Sequence, residues 1–233
     1  MRAAAVLVFA GCAQGLTQAP RPDAAPSDLG GHAFAVPGEV IEYRVALRGI
    51  TVGNVEVAVG QPGWLGDRRA IVVRSRGTSA GVVSLIGDLR WELTTSVDLG
   101  SGRPIHEIEE SWLQVDGEPE HHRAERDWAG SGFDLHAAAA ALRGWRAGDG
   151  ERARFEVTID RANLDIELWE AAREYLAAAH QPAVRYDGTA RGTYHFRVWI
   201  SDDEARVPLL LETDTRWGGV TVALVRYDPP SDR

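Results

Sequence analysis

Only a few residues in this 233-residue chain have the type and spacing to do chemistry. Cys12 is the sole cysteine. It cannot form an internal disulfide, but its thiol can be alkylated. Asp202 and Asp203, in "SDDEAR", could act as a general acid–base pair. His106 with Glu107, Glu109 and Glu110, and His121-His122 in "GEPEHHRAERDW", could offer nitrogen and oxygen donors to a metal. Neighbouring residues on a strand point to opposite faces, so His121-His122 make a poor chelating pair, while His106 with its glutamates offers more ligands at strand spacing. No cysteine or H-x-x-x-H framework accompanies them, and solvated faces are expected rather than a metal site. No G-x-S-x-G elbow marks a serine nucleophile. The "GSG" and "GDG" turns lack the lysine and helix of a phosphate loop. No catalytic residue, metal or cofactor is expected, and the chain reads as a non-enzyme.

These residues must be positioned by strands. Ile41, Tyr43, Val45 and Leu47 alternate with Glu42, Arg44, Ala46 and Arg48. The same period of two runs through Leu89–Val97, Phe155–Ile159, Leu164–Leu168, Tyr194–Ile200 and Val220–Leu224. Repeated alternation with one dry and one wet face predicts a mostly β fold: a curved antiparallel sheet or open β-barrel. "FDLHAAAAALRGW", 133–145, predicts one short helix against it, opened by Asp134 and ended at Gly144. In "LWEAAREYLAAAHQP", 168–182, Trp169, Ala172 and Leu176 have helical spacing, against a strand–turn–strand alternative. Of the eight tryptophans, Trp91, Trp112, Trp169 and Trp199 fall on strands. Core packing explains them, and an aromatic-lined groove for an apolar ligand is the alternative.

The start of the chain has a different character. Met1-Arg2 precedes the apolar run "AAAVLVFA", then Gly11 and Cys12. This is the shape of a secretory signal, too short to span a bilayer. "FAGC" resembles the bacterial lipoprotein box, in which the cysteine is acylated and becomes the new N-terminus. The resemblance implies a signal peptide at 1–11, lipid attachment at Cys12, and membrane association through the acyl chains. An ordinary leader giving a soluble periplasmic or secreted product is the alternative. Residues 12–33, rich in Pro, Gly and Ala, read as a flexible tether, 34–228 as one domain and 229–233 as a tail. Ala13 after the cysteine resembles outer-membrane sorting, which implies an outer-membrane protein facing the periplasm. The net charge of -9 argues against a nucleic-acid partner.

"VWISDDEARVPLLLETDTRWGGVTVALVRY", 198–227, resembles the end of the bacterial domain of unknown function 3108 (DUF3108) family. The matching positions are Trp199, Ser201, Asp202, Asp203, Arg206, Pro208 and Gly218-Gly219. "PGEVIEYRVALRGITVGNVEV", 37–57, resembles its opening strand and turn. The resemblance implies an exported envelope protein, and it favours strand over helix at 168–182. The signature reads as structural: Ser and Asp side chains fix a tight turn, Arg206 pairs with Asp202 or Asp203, and Pro208 opens the next strand. The expected function is a binding module for an apolar or lipid-like ligand. The alternative is a structural or assembly partner of another envelope protein.

Overall fold

The structure, a computed structural model, describes residues 16, 18–22, 27–28, 34–81, 83–85, 87–114, 119–130, 132–148, 150–159 and 162–230. Its strands are β1 (Ser27–Asp28), β2 (Val40–Leu47), β3 (Ile50–Val59), β4 (Gly63–Leu65), β5 (Arg68–Ser79), β6 (Asp88–Asp98), β7 (Pro104–Gln114), β8 (Glu120–Asp127), β9 (Arg152–Ile159), β10 (Ala162–Leu176), β11 (Gln181–Ala190), β12 (Tyr194–Ser201), β13 (Pro208–Thr215) and β14 (Gly218–Asp228). One α-helix, α1 (Leu135–Gly144), lies between β8 and β9.

All fourteen strands belong to one sheet, ordered β1-β9-β10-β11-β12-β13-β14-β2-β3-β5-β6-β7-β8, with β4 paired to β5 off this path. Every pairing is antiparallel except β1 with β9. The sheet is not closed into a barrel. After β8 the chain passes to Phe133, which makes a parallel bridge to Val157 of β9. Residues from opposite parts of the sheet then meet in one core: Val59, Ile71, Val73 and Val97 with Phe155, Leu168, Val184 and Phe196. Ala137, Ala138 and Ala141 of α1 belong to the same cluster, so the helix fills the concave face. Alanines suit that place because a slim helix fits close to a sheet without forcing it open.

The expected antiparallel sheet with one short helix is what forms. The helix begins after Asp134, whose carboxylate accepts from the Ala137 N–H at 2.8 Å. At 168–182 the strand alternative holds: Leu168 and Trp169 pair with both β9 and β11, and β10 continues along β11 to Leu176. The helical spacing there has a strand cause. Between Glu170 and Ala172 the β10–β11 register shifts by a bulge, and Trp169 faces Asp187 while Ala172 faces Arg185. The extra residue puts Trp169, Ala172 and Leu176 on one sheet face at the i, i+3, i+7 separations of a helix.

The inner face tolerates little change. A Cβ on Gly188 would lie 2.3 Å from Phe196 Cζ and 2.8 Å from the Glu167 carbonyl oxygen. Gly188→Ala is expected to lower stability by about 1–3 kcal/mol through overpacking. Urea unfolding checks this, and a double variant with Phe196→Leu should lose less than the sum of its parts.

Candidate functional site

Two buried polar clusters lie at the two ends of α1, inside the sheet. At the helix start, Asp134 is fully buried and His136, two residues on, is buried as well. Thr95 of β6 donates to Asp134 Oδ2. Its one proton is thereby used, so Thr95 Oγ1 accepts from His136 Nδ1, 2.9 Å away. His136 Nε2 then carries no proton and accepts from Ser75 Oγ of β5 at 2.6 Å. The result is a directed chain, Ser75 to His136 to Thr95 to Asp134. It contains the residue types of a serine hydrolase, with a threonine inserted between histidine and acid. Ser75, Thr95, His136 and Asp134 are all buried, which denies the hydroxyl a substrate. Burial lowers the His136 pKa to about 3 and keeps the ring neutral. Burial also raises Asp134, against the hydrogen bonds from Thr95 and the Ala137 N–H. The chain therefore fastens the first turn of α1 to β5 and β6.

The helix end is held by two buried arginines. Arg143 forms a two-pronged ion pair with fully buried Glu39, with Nη2 3.0 Å from Oε2 and Nη1 on Oε1. It also donates to the carbonyls of Arg206 at 2.9 Å and Ala205 at 2.8 Å. Arg206 returns the exchange, donating to the Arg143 carbonyl at 3.0 Å, the Trp145 carbonyl at 2.8 Å and the Tyr186 hydroxyl at 2.9 Å. The last carbonyls of a helix lack intrahelical partners and carry partial negative charge, so a guanidinium suits them. Burial, first, and then Glu39 push the Tyr43 hydroxyl well above the ordinary tyrosine range, while Arg143 opposes this.

The signature turn thus anchors the helix. Ser201 Oγ donates to Asp203 Oδ1 at 2.7 Å, and the Arg206 N–H reaches the same oxygen at 3.0 Å. The Val207 N–H donates to Ser201 Oγ at 2.8 Å, and Pro208 opens β13. Arg206 has a positive φ of 49°. The Arg206–aspartate ion pair expected from sequence does not form, because the guanidinium turns inward to the helix carbonyls. Asp202 instead accepts from Arg173 at 3.3 Å. Trp199 is buried on the face of Arg185 and Leu210 and donates to Glu174 at 2.7 Å. A charged hollow of about 280 Å³, lined by Arg146, Arg173, Asp202, Asp203, Glu204 and Arg206, lies over this turn. Cys12 lies outside the described residues.

The histidine and glutamate sets are divided as alternation requires. His106 faces out to Asp127 at 2.8 Å and Glu125 at 3.3 Å. Glu107, opposite Thr95 in register, faces in. Trp112 and His121 stack at 4.9 Å between ring centres on the outer face, while His122 stands opposite Ser111. Among the described residues no group of three His, Cys, Asp or Glu is placed to hold a metal. Of these histidines and glutamates, Glu107 has a strongly altered proton affinity. Burial, with the nearby charge of Asp134, raises its pKa to about 7.

His136 and Glu107 bend the pH dependence of stability in opposite directions. Between about 6.5 and 3 the unfolded chain takes a proton that folded His136 refuses, so its contribution falls as pH drops. From about 4.5 to 7 folded Glu107 holds a proton that the unfolded chain gives up, so its contribution falls as pH rises. Glu107→Gln should therefore gain melting temperature relative to the parent on going from pH 5 to pH 8. Paired thermal melts check this, and a constant difference across that range would contradict it.

Sequence reading missed Ser75, Thr95, Asp134 as more than a cap, and His136. The available signal was a histidine in an alanine-rich helix, two residues after its cap. Glu39 and Arg143 lie in stretches with a family resemblance, but their pairing gave no signal, because it joins elements 104 residues apart.

No protein-family model matches the chain, and no curated protein matches it. The likeness to domain of unknown function 3108 therefore rests on the quoted residues alone. Among solved structures, the chain is similar to a β-barrel-like protein of domain of unknown function 1849 from Brucella abortus, at 9% identity and a TM-score of 0.53, covering 84% of this chain and 99% of that one. It also matches a lipoprotein candidate from Parabacteroides distasonis ATCC 8503, at 9% identity and a TM-score of 0.36, covering 84% and 99%. An exported-protein candidate with a YmcC-like fold from Bacteroides fragilis NCTC 9343 matches at 9% identity and a TM-score of 0.37, again covering 84% and 99%. At these identities the first likeness shows the fold alone: a barrel-like antiparallel sheet.

Proposed function

We propose that this chain is a non-enzymatic, lipid-anchored envelope protein of the DUF3108-like kind, which acts through its outer surface as an assembly partner. The observation that carries this reading is the filled concave face. A carrier of an apolar ligand needs an apolar hollow, usually of several hundred Å³. Here Phe133, Ala137, Ala138 and Ala141 occupy that space, and the polar chains at both helix ends close it. The two best-formed hollows among the described residues are lined mostly by charged side chains. What is left for a partner is outside. Trp64 is 72% exposed and Leu65 42% exposed on β4, a three-residue strand projecting beside β5. An exposed tryptophan on a short flap is the type of anchor that protein interfaces bury.

Cys12→Ser tests the anchor. Membrane fractionation with intact-mass measurement should find the parent bound and carrying a diacylglycerol thioether, and the variant released without it. Crosslinked extraction tests the partner. The parent should be recovered with a discrete envelope protein, and Trp64→Ser should lose it. A monomer from both would overturn the assembly reading while leaving the anchor intact.

A further inference from the structure

The segment expected to be a free tether is in part a strap. Leu16 donates its N–H to Asp214 of β13 at 3.1 Å. The Gln18 side chain donates to the carbonyls of Gly188 at 2.7 Å and Phe196 at 3.2 Å, and its oxygen meets His195 Nδ1 at 2.6 Å. The Ala19 N–H donates to buried Asp187 at 2.5 Å, and Arg21 pairs with Glu167 of β10. Residues 27–28 then pair with β9. The described residues of the strap thus meet β13, β12, β11, β10 and β9 in turn, so residues 16, 18–21 and 27–28 are held to the sheet.

The crossing starts at one end of the sheet. Asp214 pairs with Gly219, one step from the β13–β14 turn at Arg216-Trp217. That turn lies beside the β2–β3 turn, since Val220 pairs with Leu47. Arg216 stacks on Trp217 at 4.0 Å, and the Arg48 side chain lies against Gly218. Arg48 and Arg216 are exposed, and Ile50 is 55% exposed. Arg191, at the β11–β12 turn of the same end, is exposed as well. The sequence between β5 and β6 at this end, "AGVVSLIG", carries no charge. Of the acids at this end, Asp165 stands beside the β11–β12 turn, where its carbonyl accepts from the Arg191 N–H at 2.8 Å, Asp214 is engaged by the strap, and Asp88 and Glu120 stand on β6 and β8, further round the sheet. Leu16 is four residue steps beyond Cys12, a reach of at most about 14 Å.

We infer that the end bearing Arg48, Ile50, Arg216 and Trp217 rests on the bilayer that takes the Cys12 acyl chains, with the strap fixing this orientation; the inference rests on the anchor proposed above. Acyl chains that start within that reach of Asp214 bring the neighbouring turns to the head groups, a layer about 5–7 Å deep. Tryptophan and arginine are the residue types that settle at that level, and the arginines meet anionic lipid phosphate. β4, with Trp64, is at the opposite end of β5 and therefore points away from the membrane, toward a partner.

The test uses the acylated full chain in vesicles of phosphatidylethanolamine and phosphatidylglycerol, 3:1. Acylation consumes the only native thiol. Ile50→Cys and Trp64→Cys can each be labelled singly with an environment-sensitive fluorophore. The label at 50 should shift to the blue and be quenched at least threefold more by head-group spin-labelled lipid than the label at 64. Arg48→Glu with Arg216→Glu should reduce that ratio at unchanged acyl mass. Equal quenching at both sites, or stronger quenching at 64, would overturn the orientation while the acyl mass still upholds the anchor. An unmodified mass would overturn both, and is read in the same sample.

Discussion

Arg143→Met is expected to lower stability by about 3–5 kcal/mol, the cost of leaving a partner charge buried and unpaired. Glu39 is fully buried, and Arg143 binds both of its carboxylate oxygens. The same guanidinium holds the Arg206 and Ala205 carbonyls, so its loss also releases the signature turn from the helix. Glu39→Gln together with Arg143→Met removes both charges and should lose markedly less than Arg143→Met alone. Arg143→Lys should remain well below the parent, because an ammonium cannot satisfy two oxygens and two carbonyls in a plane. Urea midpoints for the set check this. Equal losses in the single and double variants would show that the pair is not the source of the effect.

The second large effect is expected at the other end of the helix. Asp134→Ala should cost about 2–4 kcal/mol, from loss of the helix cap together with stranding of the Thr95 hydroxyl. Thr95 donates to Asp134, and the histidine behind it is ordered by that donation. Asp134→Asn keeps an acceptor for the cap and should recover part of the loss. Histidine proton NMR gives a readout that packing alone would not move. The parent should show a single tautomer at His136 with the proton on Nδ1, and Asp134→Ala should lose that preference. A parent with the proton on Nε2 would contradict the direction of the chain.

The fold was legible because an antiparallel sheet with one filled face writes its period directly into the residues. Ile41 to Leu47 and Tyr194 to Ile200 alternate, and both lie in strands. The alanine helix was legible from Asp134 and Gly144, which bound it within a residue or two. At 168–182 local spacing was ambiguous, because a bulge in a strand reproduces the separations of a helix face; only the pairing with β11 decides. The turn Ser201–Pro208 was readable as a turn, since short polar side chains close it locally. The direction of Arg206 was not readable, because its acceptors are carbonyls at the end of α1, more than 60 residues away. The strap was also invisible: "LTQAPR" has no period, and its hold on the sheet comes from single hydrogen bonds to strands far along the chain.

The central claim is that the concave side of this sheet is a solid core and not a container. Native mass spectrometry of the protein gently extracted from membranes measures this directly. The expected mass is that of the polypeptide plus the adduct on Cys12, and nothing further. A stoichiometric apolar molecule retained by the folded domain, and also by Cys12→Ser, would contradict it.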